Sequence, residues 1–299
     1  MKNGILFGPA DAAVDFHGYE PMLRGSAVAQ SIYREFSEAA GIPVDRLIDG
    51  EVPHVHPVLL RWIRQLCAML SAARILEHDS GPASVYAGVS LGELAALHSS
   101  GAASTELVVK FLHERHLQDT DRDEAVGFAF VPAPADWRYY EQAGRMIVSC
   151  DFGPVLGGAG RMIMVSGLRS ALESARREGP ADLQVADCSL AHQAYHSPFR
   201  EPGRRRIESL LKENPLDPPK APVITAVPGM YTPSSHEEAA NALVASETRP
   251  LYFPGLLEAL RRFEPDKVYV ISSFLRQLEI DFHASAEYVD DSWLKENFG

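Results

Sequence analysis

The run SVYAGVSLGELAAL, residues 84–97, constrains the fold more than any other stretch of the chain. Its first half is small, β-branched and aromatic, which predicts a strand over 83–87; from Leu91 the pattern turns helical and runs to Gly101. Strand, tight turn and helix in that order belong to an α/β sheet. The turn itself, Gly88-Val89-Ser90-Leu91-Gly92, fits G-x-S-x-G. A turn this sharp lifts the Ser90 side chain and needs small residues around it, a need that Ala87, Gly88 and Gly92 meet. The backbone N–H of Leu91 at the helix start is placed to receive an oxyanion. Ser90 is therefore either a nucleophile or a small residue in a buried turn.

Around this run the chain alternates strands and helices. Residues 3–7 predict a strand before a Gly-Pro turn, and helices are expected over 25–40, 57–77 and 105–118, the last with Ser104 as its N-cap. The order then changes. FAFVP (128–132), RMIVSC (145–150), RMIMVSG (161–167) and LQVAD (183–187) read as strands, with PADWRYYEQAG (134–144) and LRSALESARREG (168–179) as helices. The sum is β-α-β-β-α-β, a ferredoxin-like pattern. Beyond it come a helix over 199–213, a strand over 221–227, helices over 236–246 and 253–263, and a strand over 267–272. The expected fold is a large α/β domain with a parallel sheet, made of residues 1–124 and 189–299. A ferredoxin-like domain of residues 125–188 is inserted in it.

Composition removes several function classes. A net charge of −12 argues against broad nucleic-acid binding, which needs a positive face. Cys67, Cys150 and Cys188 form no C-x-x-C pair and read as free thiols in a reducing cytoplasm. The N-terminus shows no apolar signal-peptide core, and the apolar segment 56–78 is interrupted by Arg61, Arg64 and Arg74, so it reads as a buried helix and no membrane span. No large exposed apolar face is marked, and a monomer is expected.

A serine hydroxyl needs a base, and histidine is the usual one. His54 and His56 form an H-x-H pair with no Cys or carboxylate cluster beside it, so no metal site is expected. His113 and His116 share the 105–118 helix. His192 and His196 lie in SLAHQAYHSPF, where Pro198 argues for a turn, and His196 stands where the chain leaves the insert, a position suited to facing a cleft. Val108, Phe111 and Arg115 share one helical face, so Arg115 points inward and needs an anionic partner, either a structural carboxylate or a substrate carboxylate.

These segments together resemble the malonyl-CoA:acyl-carrier-protein transacylases and the acyltransferase domains of polyketide synthases. GVSLGELAAL is similar to that family's G-H-S-x-G-E element, STELVVKFLHERHLQ to the helix carrying its carboxylate-binding arginine, QAYHSPF to the segment of its catalytic histidine and TRPLYFPGLLEAL to its late PV-x-F element. The resemblance implies that Ser90 carries the acyl group as an ester, that His196 is the base, held by a backbone carbonyl, and that the N–H groups of Leu91 and Ala10 hold the oxyanion. It implies that Arg115 grips the distal carboxylate, with Val89, Gln193, Tyr195 and Ser246 around the substrate. Substrates would be CoA or phosphopantetheine thioesters, with no bound cofactor, and the partner an acyl carrier protein. Departures are Phe7-Gly8-Pro9-Ala10-Asp11-Ala12-Ala13 in place of F-P-G-Q-G-S-Q, Val89 in place of a histidine and Ser246 in place of a glutamine. These point to a free-standing acyltransferase of a polyketide-type pathway. Gln193-Ala194-Tyr195-His196 lies nearer the unbranched-malonyl pattern. Arg200, Arg204, Arg205 and Arg206 are a candidate docking patch for an acidic carrier protein, or a solvated face paired with Glu201 and Glu208. Two other readings remain open: a thioester hydrolase using the same Ser-His pair, and a non-catalytic docking module.

Overall fold

Residue Phe7 ends one strand, Gly88 a second and Ile271 a third, and the three ends lie side by side on the carboxyl edge of a parallel sheet. A computed structural model describes residues 2–11, 16–117, 123–142, 144–282 and 284–298 of the chain. Ala12, Ala13 and Gln118, which figure in the sequence reading, lie outside the described residues. The parallel sheet, sheet A, has the order β10-β9-β1-β2-β7, with β1 Asn3–Phe7, β2 Val85–Gly88, β7 Val223–Ile224, β9 Lys267–Ile271 and β10 Ser285–Tyr288. β1 is buried along its whole length, as a central strand covered on both faces should be. The connection from β1 to β2 includes the helices Ala27–Ala40 and Pro57–Ser80; the second is buried over most of its length. The expected helix over 25–40 is split at Ser26, whose side chain accepts from Ala29 N–H and caps a fresh start.

A second sheet, sheet B, runs β6-β3-β5-β4-β8, from β3 Glu124–Pro132, β4 Met146–Val155, β5 Gly160–Leu168, β6 Leu183–Val185 and β8 Leu251–Tyr252. Its first four strands are antiparallel and carry the helix Arg169–Glu178 between β5 and β6, the ferredoxin-like arrangement. The helix expected over 134–144 is a correction: only a 3-10 turn forms, Trp137–Tyr140. Asp136 caps it, Tyr140 is driven into the core with its hydroxyl donating to the Ala181 carbonyl, and Gln142 already pairs with Met146, so the chain has room for one turn only. β8 comes from beyond residue 188 and pairs parallel with β4, stitching sheet B to the rest of the chain. The strand expected over 221–227 is shortened to two residues because Thr225 turns the chain, its hydroxyl bonding to the Met230 carbonyl.

Two apolar clusters follow the two sheets. The larger surrounds sheet A and takes in Val126, Cys150, Phe152 and Met164 from one face of sheet B. The smaller lies between sheet B and its helix, built from residues such as Val131, Tyr140, Ile163, Val165 and Leu172. Among the described residues no helix is long and apolar enough to cross a membrane.

Candidate active site

Ser90 sits between β2 and the helix Leu91–Ser99 with φ 58° and ψ −115°, a conformation that a non-glycine residue adopts only under tertiary constraint. The constraint is packing. A Cβ on Gly88 would stand 2.1 Å from the Gly92 carbonyl oxygen, and one on Gly92 would stand 2.3 Å from the Phe7 carbonyl oxygen, so strand and helix approach as closely as they do only because both residues are glycine. Val89 N–H donates to the Phe7 carbonyl at 3.2 Å and ties the turn to β1.

His196 meets Ser90 across the site. Its Nε2 lies 2.8 Å from Ser90 Oγ and its Nδ1 lies 2.5 Å from the Ser246 carbonyl oxygen. A carbonyl only accepts, so Nδ1 carries the proton and Nε2 keeps a lone pair for the serine hydroxyl. Burial, with the Arg115 cation adding to it, pushes the His196 pKa down to about 3, so the ring is neutral at physiological pH. Like Ser90, His196 has a positive φ, 54°.

Ala10 and Leu91 line the same cavity, and among the described residues neither N–H group has a hydrogen-bond acceptor. Gln65, on the helix Pro57–Ser80, shapes this edge: its Oε1 accepts from Asp11 N–H at 3.1 Å and its Nε2 donates to the Pro9 carbonyl at 3.3 Å. Sequence reasoning missed Gln65; its one signal was a lone amide on a helix otherwise apolar at that level.

Arg115 points inward from the helix Thr105–His116, and both readings of its partner have a place. Its Nε lies 3.0 Å from Glu247 Oε1, a structural carboxylate, while one terminal nitrogen approaches His196 Nε2 at 3.3 Å and the side chain lines the cavity. Glu247 was also missed. Glu93, in the first turn of the elbow helix, is wholly buried; burial raises its pKa to about 7 against the opposing pull of Arg115.

Several expected roles are corrected. Val89 is buried in the core, away from the cavity. Gln193 turns from the cavity too, its Nε2 donating to the Arg115 and His116 carbonyls. Ser246 acts through its backbone carbonyl on His196, while its hydroxyl donates to the Leu243 carbonyl. Of the residues expected around the substrate, Arg115 and Tyr195 line the cavity. The docking patch breaks up as well. Arg200 is 2% exposed and bonds to the Arg115 carbonyl and to Glu247. Arg204 is clasped between Glu201 and Glu208, and Arg206 is turned to Glu114. Arg205 stays outside, 72% exposed and paired with Glu201. This is the paired helix face that the sequence offered as the alternative. Among the described residues no group of three or more His, Cys, Asp or Glu is arranged to hold a metal ion.

The cavity measures about 70 Å3 and is mostly apolar, with Trp62, Phe128, Met164, Leu190 and Tyr195 facing Ser90 and Arg115. One wall belongs to sheet B, the other to the helices of sheet A.

The whole architecture aligns with solved transacylases. The malonyl-CoA:acyl-carrier-protein transacylase of Helicobacter pylori superposes with a TM-score of 0.80 over 100% of this chain and 97% of its own, at 18% identity. The fold is that of the malonyl-CoA:acyl-carrier-protein transacylases. A type II polyketide-synthase malonyl-transacylase, solved in complex with its acyl-carrier protein, shares this transacylase fold at a TM-score of 0.78 and 17% identity, covering 100% of this chain and 99% of that one. The acyltransferase domain from the second module of the salinomycin polyketide synthase does so at 0.77 and 16%, covering 99% of this chain and 72% of that one. No protein-family model and no curated protein sequence matches the chain.

Proposed function

We propose that the chain is an acyltransferase that moves a malonyl-type acyl group from a thioester onto Ser90 and then onto the phosphopantetheine thiol of an acyl carrier protein. The observation that carries this reading is the strained elbow serine 2.8 Å from a neutral buried imidazole whose other nitrogen is held by a carbonyl. In the first half-reaction Ser90 Oγ attacks the thioester carbonyl carbon as its proton passes to His196 Nε2. The N–H groups of Ala10 and Leu91 receive the oxyanion. When the C–S bond breaks, His196 returns the proton to the leaving thiolate. In the second half His196 takes the proton of the carrier thiol, the sulfur attacks the ester, and Ser90 Oγ leaves with that proton. Arg115 faces the acyl group, and a guanidinium suits a terminal carboxylate.

The acyl-carrier protein as partner and a polyketide-type setting are supported by the transacylase solved with its carrier and by the salinomycin domain. CoA or phosphopantetheine thioesters are the substrates, and the chemistry needs no bound cofactor. Intact-protein mass spectrometry of wild type and Ser90→Ala with malonyl-CoA, other acyl-CoAs and acyl-carrier proteins tests the reading. A malonyl mass increase on wild type alone supports it. Steady release of free acid with no adduct makes the protein a hydrolase, and no adduct or turnover with any donor leaves a docking module.

A further inference from the structure

Arg115 shares its only described carboxylate partner with a second cation. Glu247 receives Arg115 Nε on one oxygen at 3.0 Å and an Arg200 terminal nitrogen on the other at 3.4 Å, and that same Arg200 nitrogen donates to the Arg115 backbone carbonyl at 3.0 Å. The three side chains are 4%, 2% and 0% exposed, so solvent screens none of these charges. Glu247 divides its one negative charge between two guanidiniums. The arrangement also fixes geometry. Arg115 meets Glu247 along its Nε edge as an ion pair without a hydrogen bond, its backbone carbonyl accepts from Arg200, and its remaining terminal nitrogen has no protein partner among the described residues.

The chain makes room for Arg200 at a specific cost. Gly203 stands in the first turn of the helix Glu201–Glu213, where a Cβ would lie 2.3 Å from an Arg200 terminal nitrogen. A glycine inside a helix is unfavourable unless something needs the space. Here the Arg200 guanidinium needs it.

We propose that Arg200 is a positioning residue that sets selectivity for acyl groups ending in a carboxylate: by taking half of Glu247 it keeps Arg115 from being neutralised and leaves part of the Arg115 fork to the substrate. Without Arg200, both Glu247 oxygens turn to Arg115, the pair becomes neutral, and the fork is used up within the protein. The inference rests on the acyl-transfer reading above and deepens it to monothioesters of dicarboxylic acids.

The test compares malonyl with acetyl loading on Ser90, from the two CoA thioesters under identical conditions, by rapid-quench intact-mass spectrometry. Arg200→Met removes the charge while keeping an unbranched side chain of similar reach. Gly203→Ala touches neither Ser90 nor the cavity and displaces Arg200 from outside. Both variants are expected to lower the malonyl-to-acetyl ratio by about tenfold or more, the scale of one charge-assisted hydrogen bond. Acetyl loading by Gly203→Ala is expected to stay close to wild type, and Arg200→Lys to recover part of the ratio. A merely structural role would slow both donors alike and leave the ratio where it was. An unchanged ratio in both variants, with wild type forming the ester, overturns this inference and leaves acyl transfer standing. A wild type that forms no ester with any donor overturns acyl transfer and this inference with it.

Discussion

Sheet A and its helices bury Arg115, Arg200, Glu247, Glu93 and His196 close to Ser90, whereas the small cluster under sheet B is apolar except for the Tyr140 hydroxyl, which is satisfied at the Ala181 carbonyl. The cavity takes its sheet B wall from the opposite face of that sheet, through Val126, Phe128 and Met164. The sheet A side holds a strained elbow and unevenly paired charges, each of which costs folding free energy. The small cluster under sheet B holds only shape. The contrast teaches where chemistry is kept and where stability is kept: the charged region depends on being clamped by the rest of the fold, and the apolar one supplies part of the clamp.

The largest effect expected is on the reaction. Ser90→Ala should lower transfer on the order of 10⁴-fold or more, measured as steady-state malonyl transfer to a carrier protein, with no adduct by mass. Activity surviving at a tenth of wild type would mean that the elbow is only a turn. Truncation on each side then sharpens the comparison. Glu247→Ala leaves two buried guanidiniums without their carboxylate and should cost about 3–5 kcal/mol in denaturant unfolding. Leu172→Ala in the small cluster should cost about 2–5 kcal/mol through the cavity it leaves. The two differ in what else they change: Glu247→Ala should also alter the malonyl-to-acetyl ratio, and Leu172→Ala should not. If both left the ratio alone, charge and shape would be equally remote from function.

A smaller effect is expected in pH dependence, and it belongs to the charged side. Glu93 has a raised pKa, so the folded chain holds a proton that the unfolded chain releases between its ordinary value near 4.5 and about 7. Stability from this group therefore falls as pH rises through that window, and Glu93→Gln should flatten the melting temperature between pH 5 and 8. His196 acts in the opposite sense: its pKa is lowered to about 3, so below 6.5 the unfolded chain gains a proton that the folded one does not. The acid limb of Ser90 acylation should accordingly lie well below pH 6.5 in single-turnover profiles. A limb at 6.5 would show a base open to solvent. The smallest effect should come from outside both regions. Arg205→Glu should move stability by less than about 0.5 kcal/mol and the carrier-protein KM very little, since its neighbours Arg204 and Arg206 are already paired. A large rise in KM would restore this helix as a docking face.

Much of the architecture was legible in the chain because its signals are local. Alternation of strand and helix, the G-x-S-x-G turn and the β-α-β-β-α-β order depend on neighbours within a few residues. Arg115 was legible as inward-facing because three- and four-residue spacing on a helix is also local. The reading failed where local pattern competed with a distant contact. The 134–144 segment looked helical, but Tyr140 is held at Ala181 and Gln142 is captured by Met146. The four arginines at 200–206 looked like one basic face, but the turn Pro198–Arg200 sends Arg200 inward before the helix begins, and Glu201 and Glu208 take up Arg204.

By itself, then, the sequence determined the elbow and the order of the elements, and the family resemblance singled out His196 and Arg115 beside Ser90. Only the tertiary structure decided how they are held. Gln65 reaches the Pro9 carbonyl 56 positions away, His196 finds the Ser246 carbonyl 50 away and Arg200 finds Glu247 47 away. Such partners carry no mark in the chain, because a buried polar group needs a satisfied bond of any origin, and which group supplies it depends on how the sheets close.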